Sequence, residues 1–164
     1  MRRAPPRTRR AGSAGGLSLQ VRRRVRGWTP SRRELTSWAQ AALGRRAQGE
    51  LGVAVVGAPE SRRLNARYRG RNHATNVLSF PAAAQPLAAA PRPLGDLVIC
   101  ARVLRDEAQR QAKTLRAHWA HLVVHGALHL IGYDHQADAD ARRMERREIA
   151  VLRTLGFGNP YRSA

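Results

Sequence analysis

Between Leu115 and Ile131 the sequence reads LRAHWAHLVVHGALHLI, a stretch that fits a helix buried on nearly every side. At about 100° per residue, Trp119, Leu122, Val123, Gly126, Ala127 and Leu130 gather into one stripe. Val124 and Leu128 carry the apolar surface round to the far side. His118, His121, His125 and His129 share the narrow face that is left. Such a helix must be wrapped by the rest of the chain, and imidazoles withdrawn from water need something to bond.

His125 and His129 are one turn apart, about 6 Å along the axis, so two ring nitrogens can converge on one ion. Gly132 lets the chain leave the helix sharply, and His135 then falls where a returning segment can supply a third nitrogen. HGALHLIGYDH therefore has the spacing H-x-x-x-H-x-x-G-x-x-H. Three neutral nitrogens with a fourth position open to water are the usual form of a catalytic zinc site. The spacing is that of the metzincin proteases, but Gly126 stands where they carry their general-base glutamate. A glycine cannot take a proton. Hydrolysis on a metal-activated water remains possible, while peptide cleavage by the metzincin route does not follow.

His121 and His118 lie progressively further from His125 along the helix, too far for a straight helix to wrap around one ion with bonds of about 2 Å. They are expected to be hydrogen-bonded polar residues lining a cleft. Cys100 closes an apolar run and reads as a small buried hydrophobe rather than a fourth ligand. Met144, with Ile149 and Leu152 in reach on the last helix, reads as core, and Asp134 as a turn residue.

The rest of the chain alternates strand and helix signals. Leu17, Leu19, Val21 and Val25 follow a period of two, and LGVAVVG at 51 to 57, NVLSF at 76 to 80 and LGDLVIC at 94 to 100 read as further strands. Ser31 and Glu34 form a capping box ahead of Leu35, Trp38, Ala39 and Ala42, with Gly44 as the stop. Pro59 suits the first turn of a helix reaching about Tyr68. Helices are also predicted over Val103 to about Lys113, about Leu115 to Ile131, and about Ala137 to Leu155. The alanine- and proline-rich stretch from Pro81 to Pro93 is expected to be a loop. The fold class that follows is α/β (α+β): a small mixed sheet of about four strands covered by helices, with the metal site on the penultimate helix and the turn after it.

The 164 residues, 43% of them apolar, suit one domain. Residues 1 to 16 lack apolar periodicity and are expected to form a disordered basic tail, either an RNA-contacting arm or an inert extension; residues 17 to 164 form the domain. No apolar stretch approaches the ~20 residues of a membrane span, and the arginine-rich start lacks the apolar segment of a secretory signal, so a cytoplasmic protein without a membrane role is expected. A single cysteine agrees with a reducing compartment. The net charge is +19; residues 1 to 33 hold 11 arginines and no acid, and the remainder still carries +8. A polyanion, with nucleic acid and an acidic membrane surface as the obvious candidates, is the natural partner for that field, although arginine usage and solubility also produce one.

HWAHLVVHGALHLIGYDH closely resembles the signature of the YbeY family, the bacterial endoribonuclease of ribosomal RNA maturation. LNARYRGRNHATNVLSFP at 64 to 81 and LGDLVICARVL at 94 to 104 resemble two upstream blocks of that family, and the likeness runs from about Val53 to LGFGNPY. The resemblance implies a small α/β fold, one Zn2+ per chain held by His125, His129 and His135, and a functional arginine at Arg69. It further implies cleavage of single-stranded RNA in 3′-end maturation of the small-subunit (16S) ribosomal RNA and in ribosome quality control. Ribosomal RNA, small-subunit ribosomal proteins and an Era-type GTPase are the implied partners. The chain departs from the family's pattern after YRG, where Asn72 and Ala74 replace an acidic residue and a proline.

On this reading, His125, His129 and His135 serve catalysis through the metal, and Arg69 steadies the charge that grows on the phosphate. The proton acceptor stays open between the metal-activated water, the RNA 2′-hydroxyl and a side chain such as Asp134. The rival reading is a non-catalytic ribosome-assembly factor with a structural zinc, which would call for a fourth protein ligand.

Overall fold

The computed structural model describes residues 15–84 and 92–162. Among the described residues four strands and five helices follow in the order β1 (Leu17–Arg23), α1 (Arg32–Leu43), β2 (Gly49–Val56), α2 (Ala58–Arg69), β3 (Val77–Pro81), β4 (Pro93–Cys100), α3 (Ala101–Arg110), α4 (Leu115–Leu130) and α5 (Asp138–Thr154). A short 3-10 turn at Gly44–Arg46 follows α1. The sheet order is β1-β2-β4-β3, with β1, β2 and β4 parallel and β3 antiparallel to β4. The sheet is therefore mixed and the fold is α/β, as the alternation of signals implies. No helix among the described residues is long and apolar enough to cross a membrane.

The capping box forms as read: the Ser31 hydroxyl accepts from the Glu34 backbone N–H, and the Glu34 carboxylate accepts from the Ser31 N–H. Pro59 occupies the first turn of α2, and Gly70 closes that helix in the left-handed conformation. The loop expected from Pro81 to Pro93 is shorter at both ends. Pro81 pairs with Gly95 and Pro93 with Glu50, both at strand ends, where a missing ladder donor is tolerated. Residues 85–91 of that stretch lie outside the described residues, as does the basic tail apart from Gly15 and Gly16. The third helix begins at Ala101 rather than Val103 and ends at Arg110, three residues early, because Ala112 turns to a positive φ of 51°.

Helix α4 packs against β3 and β4 of the sheet and against helices α1, α3 and α5. Trp119, Leu122, Val123, Val124 and Leu128 are all buried. Each such side chain contributes roughly 1.5–3 kcal/mol on leaving water, so the helix that carries the histidines is a rigid platform. Cys100 and Met144 are buried as expected.

Candidate metal centre

Two local devices shape the metal end of α4. The helix closes with a Schellman motif: the Tyr133 N–H donates to the Leu128 carbonyl, the Gly132 N–H donates to the His129 carbonyl, and Gly132 takes a φ of 96°. Only glycine adopts that conformation without strain, and the reversal brings residues 133 to 135 back over the last turn. The Asp134 carboxylate then accepts from the His135 backbone N–H at 2.7 Å, the turn role its sequence suggested.

The three histidines of the string come together. His129 Nε2 lies 3.1 Å from His125 Nε2 and 3.1 Å from His135 Nδ1. Hydrogen bonds on the far side of two rings fix their tautomers. His125 Nδ1 is bonded to the Glu148 carboxylate, and His129 Nδ1 donates to the Tyr133 carbonyl at 2.8 Å. Neither acceptor can supply a proton, so both Nδ1 atoms carry the hydrogen, and both Nε2 atoms present bare lone pairs to one another. That arrangement is unfavourable unless a cation lies between them.

A proton is a poor candidate for that cation. Burial, together with the neighbouring His125 and His135, holds the His129 imidazole below its usual pKa of 6.5. A tetrahedral zinc with bonds of about 2.0–2.1 Å sets its nitrogen ligands roughly 3.3 Å apart, close to the spacing observed. The position at the C-terminal end of α4 adds the favourable side of the helix dipole. The residues present fit a bound metal ion, and the donor atoms of His125, His129 and His135 form one potential ligand group.

Glu148 was not singled out from the sequence. It lies on α5, fully buried, and its carboxylate meets His125 Nδ1 and the Tyr161 hydroxyl, with His121 Nε2 at 3.7 Å. Burial alone would raise its pKa; the contacts with His121, His125 and Tyr161 outweigh it and bring the value from 4.5 down to about 2. Glu148 is thus ionised in the interior, with the tautomer of His125 in its hold. A Schellman turn at Leu155–Phe157 ends α5 and sends the chain back so that Tyr161 reaches Glu148. Contrary to the expectation that His121 lies too far along the helix, His121, His125 and Glu148 form a second group with metal-ligand spacing, sharing His125 with the first, because Glu148 on the neighbouring helix bridges the two turns.

His118 is hydrogen-bonded, as expected, but buried rather than set in a cleft: its Nε2 bonds Glu107 at 2.8 Å, with Asn76 donating to the same carboxylate. His121 packs edge-on against Tyr161, and both its nitrogens are buried without a hydrogen-bond partner. Burial lowers its pKa, which keeps that ring neutral.

Arg69, the last residue of α2, donates from Nη2 to the Ser79 carbonyl on β3 at 3.2 Å. The Ser79 hydroxyl in turn donates to the Gly126 carbonyl beside His125. Arg69 is therefore tied to the strand that packs against the histidine helix. The loop after it, which carries Asn72 and Ala74, is held by side-chain hydrogen bonds of its own. Asn72 accepts from Arg62, the Asn65 amide donates to the His73 carbonyl, and the Ser61 hydroxyl bonds both backbone groups of Thr75.

Comparison with known proteins agrees with this architecture. Residues 23–156 match the family model described as Endoribonuclease YbeY. Among solved structures, the chain is similar to TM1509 from Thermotoga maritima, with a TM-score of 0.52 at 18% identity, covering 88% of this chain and 99% of that one. At that identity the likeness concerns the fold alone.

Proposed function

Because this chain belongs to the YbeY endoribonuclease family, we propose that it cleaves single-stranded RNA with one zinc ion per chain, held by His125, His129 and His135. Its substrate is ribosomal RNA, and its role is 3′-end maturation of the small-subunit (16S) species and ribosome quality control in the cytoplasm. Small-subunit ribosomal proteins and an Era-type GTPase are its partners. Residues 17 to 164 act as one catalytic domain behind a basic tail.

The observation that carries the reading is the 3.1 Å approach of two bare lone pairs, those of His125 Nε2 and His129 Nε2, with His135 Nδ1 also 3.1 Å from the latter. When bound, zinc supplies polarisation of a water or a phosphoryl oxygen, with the pKa of such a water brought to about 7. Glu148 keeps His125 in the Nδ1–H tautomer, and the Tyr133 carbonyl does the same for His129. Arg69 offers a planar, permanently charged fork to two phosphate oxygens and steadies the negative charge that grows there.

A structural zinc in a non-catalytic assembly factor would call for four protein ligands. Among the described residues the histidine triad is grouped with no cysteine or carboxylate, which favours an open, catalytic site. Metal analysis and RNA cleavage test the choice together. Wild type purified without added metal is expected to carry about one zinc and to cut single-stranded RNA, and His129→Ala to do neither. A wild-type chain that takes up no zinc, or a His129→Ala chain that cuts equally well, overturns the reading.

A further inference from the structure

The turn from Ile131 to Asp134 has a second face. Turned away from the imidazoles, it walls a cavity of about 400 Å³ closed by the end of α1, the turn after it, and α5. Arg45 and Arg46 line it from one side, and Arg143 and Arg147 from the other. Arg46 Nη1 donates to the Ile131 carbonyl at 2.9 Å, and the Arg143 guanidinium lies 5.3 Å from the centre of the Tyr133 ring. Among the described residues none of these four arginines makes an ion pair; the pairs that form use other arginines or histidines. Only Asp134 and Asp140 offset them in the lining, and Asp134 is already bonded to the His135 amide.

Four guanidinium groups around one concavity repel each other, and an anion seated among them relieves that repulsion. Guanidinium suits phosphate above other anions, because its parallel N–H groups match two phosphate oxygens. The cavity shares its wall with the turn that carries His135, while Arg69 approaches the same helix from the β3 side.

We propose that this cavity binds backbone phosphates of the RNA strand beyond the bond that is cut, as an anchoring site separate from Arg69. The inference rests on the nuclease reading above. An acidic protein surface is the competing occupant; a small concave site beside the metal turn fits a flexible phosphate chain better.

The test titrates the full-length, zinc-loaded protein against a fluorescent single-stranded RNA whose 2′-hydroxyls are methylated, so that binding is read by anisotropy without cleavage. Arg143→Gln/Arg147→Gln is compared with Arg32→Gln/Arg33→Gln, which removes the same charge from the exposed face of α1. Loss of charge-assisted phosphate bonds should weaken the cavity variant about tenfold. Its log–log salt dependence should become shallower by about 1.4, the slope of two phosphate contacts on a single strand. Zinc content should stay at the wild-type level. The control variant should lose less than about twofold. Equal losses in both variants, or none in either, overturn the proposal, the first leaving a general field effect and the second leaving the face for an acidic protein. If wild type cuts RNA while the cavity variant binds like the control, this inference alone fails. If wild type neither binds nor cuts RNA, the nuclease reading fails with it.

Discussion

The buried carboxylate of Glu148 on α5 accepts the Nδ1 proton of His125 on α4 and so aims the opposite nitrogen of that ring at His129. This carboxylate–histidine pairing is a common support for a metal ligand, since it fixes both the tautomer and the ring. Glu148→Gln keeps the shape and an acceptor but removes the charge. Zinc affinity is expected to fall about 10–100-fold, with the far-ultraviolet dichroism unchanged. Competition with a fluorescent chelator measures it, and wild-type affinity in the variant would show that Glu148 merely fills space.

Acid should destabilise the metal-free chain through the same group. Glu148 titrates at about 2 when folded against 4.5 unfolded, so below 4.5 the unfolded state binds the extra proton. The stabilisation is complete above 4.5 and is lost as pH falls towards 2. His121 and His129, both held below 6.5 by burial, act in the same direction at higher pH, because the unfolded chain protonates first. Thermal melts of the chelator-treated protein from pH 8 to pH 3 should show Tm falling from about 6.5 downward, with a further fall below 4.5. A flat profile, or a maximum near pH 5, would contradict the assignment.

Arg69 is anchored to Ser79 and not to any of the three histidines. Arg69→Ala is therefore expected to leave zinc content intact while cleavage of single-stranded RNA drops by about 100-fold or more. Arg69→Lys restores charge without the two-pronged geometry and should fall between. Cleavage assays beside metal analysis decide it: wild-type rates in Arg69→Ala would leave this residue as an exposed arginine with a structural bond.

The parts legible in the sequence were those governed by local rules. The capping box at Ser31, the glycine turn at Gly132 and the spacing of His125, His129 and His135 each depend on a few neighbouring residues, and each folds as read. Glu148 escaped because REIAV reads as a charged helix surface. Its signal was positional: Met144, Val151 and Leu152 lie four before, three after and four after it, so a carboxylate sits within an apolar stripe. The stripe read through Ile149 was displaced by one residue, and Ile149 is only partly buried. Glu107 escaped for a different reason. Its partner His118 is eleven residues away on another helix, and no local spacing rule reports such a pair.

Gly126 joins the sequence argument to the packing, for it marks where a metzincin would keep its glutamate. Here that position faces the sheet. A Cβ would stand 2.9 Å from Leu97 Cδ2, 3.2 Å from Ser79 Oγ and 3.3 Å from Val77 Cγ2. Leu97 is fully buried and cannot swing aside cheaply, and the Ser79 hydroxyl is bonded to the Gly126 carbonyl. Gly126→Ala gains about 1 kcal/mol of helix propensity but meets an overpacking penalty of typically 1–3 kcal/mol, so a net loss of about 1 kcal/mol is expected. Gly126→Glu, which restores the protease motif on paper, drives a carboxylate into the α4–sheet interface and should lose several kcal/mol without gaining peptidase activity. Urea unfolding of the two variants, with a fluorogenic peptide assay on the second, measures both. An Ala variant more stable than wild type would show that Leu97 yields more readily than its burial implies. Peptide cleavage by the Glu variant would mean that the side chain reaches the metal face of the helix, contrary to the packing seen.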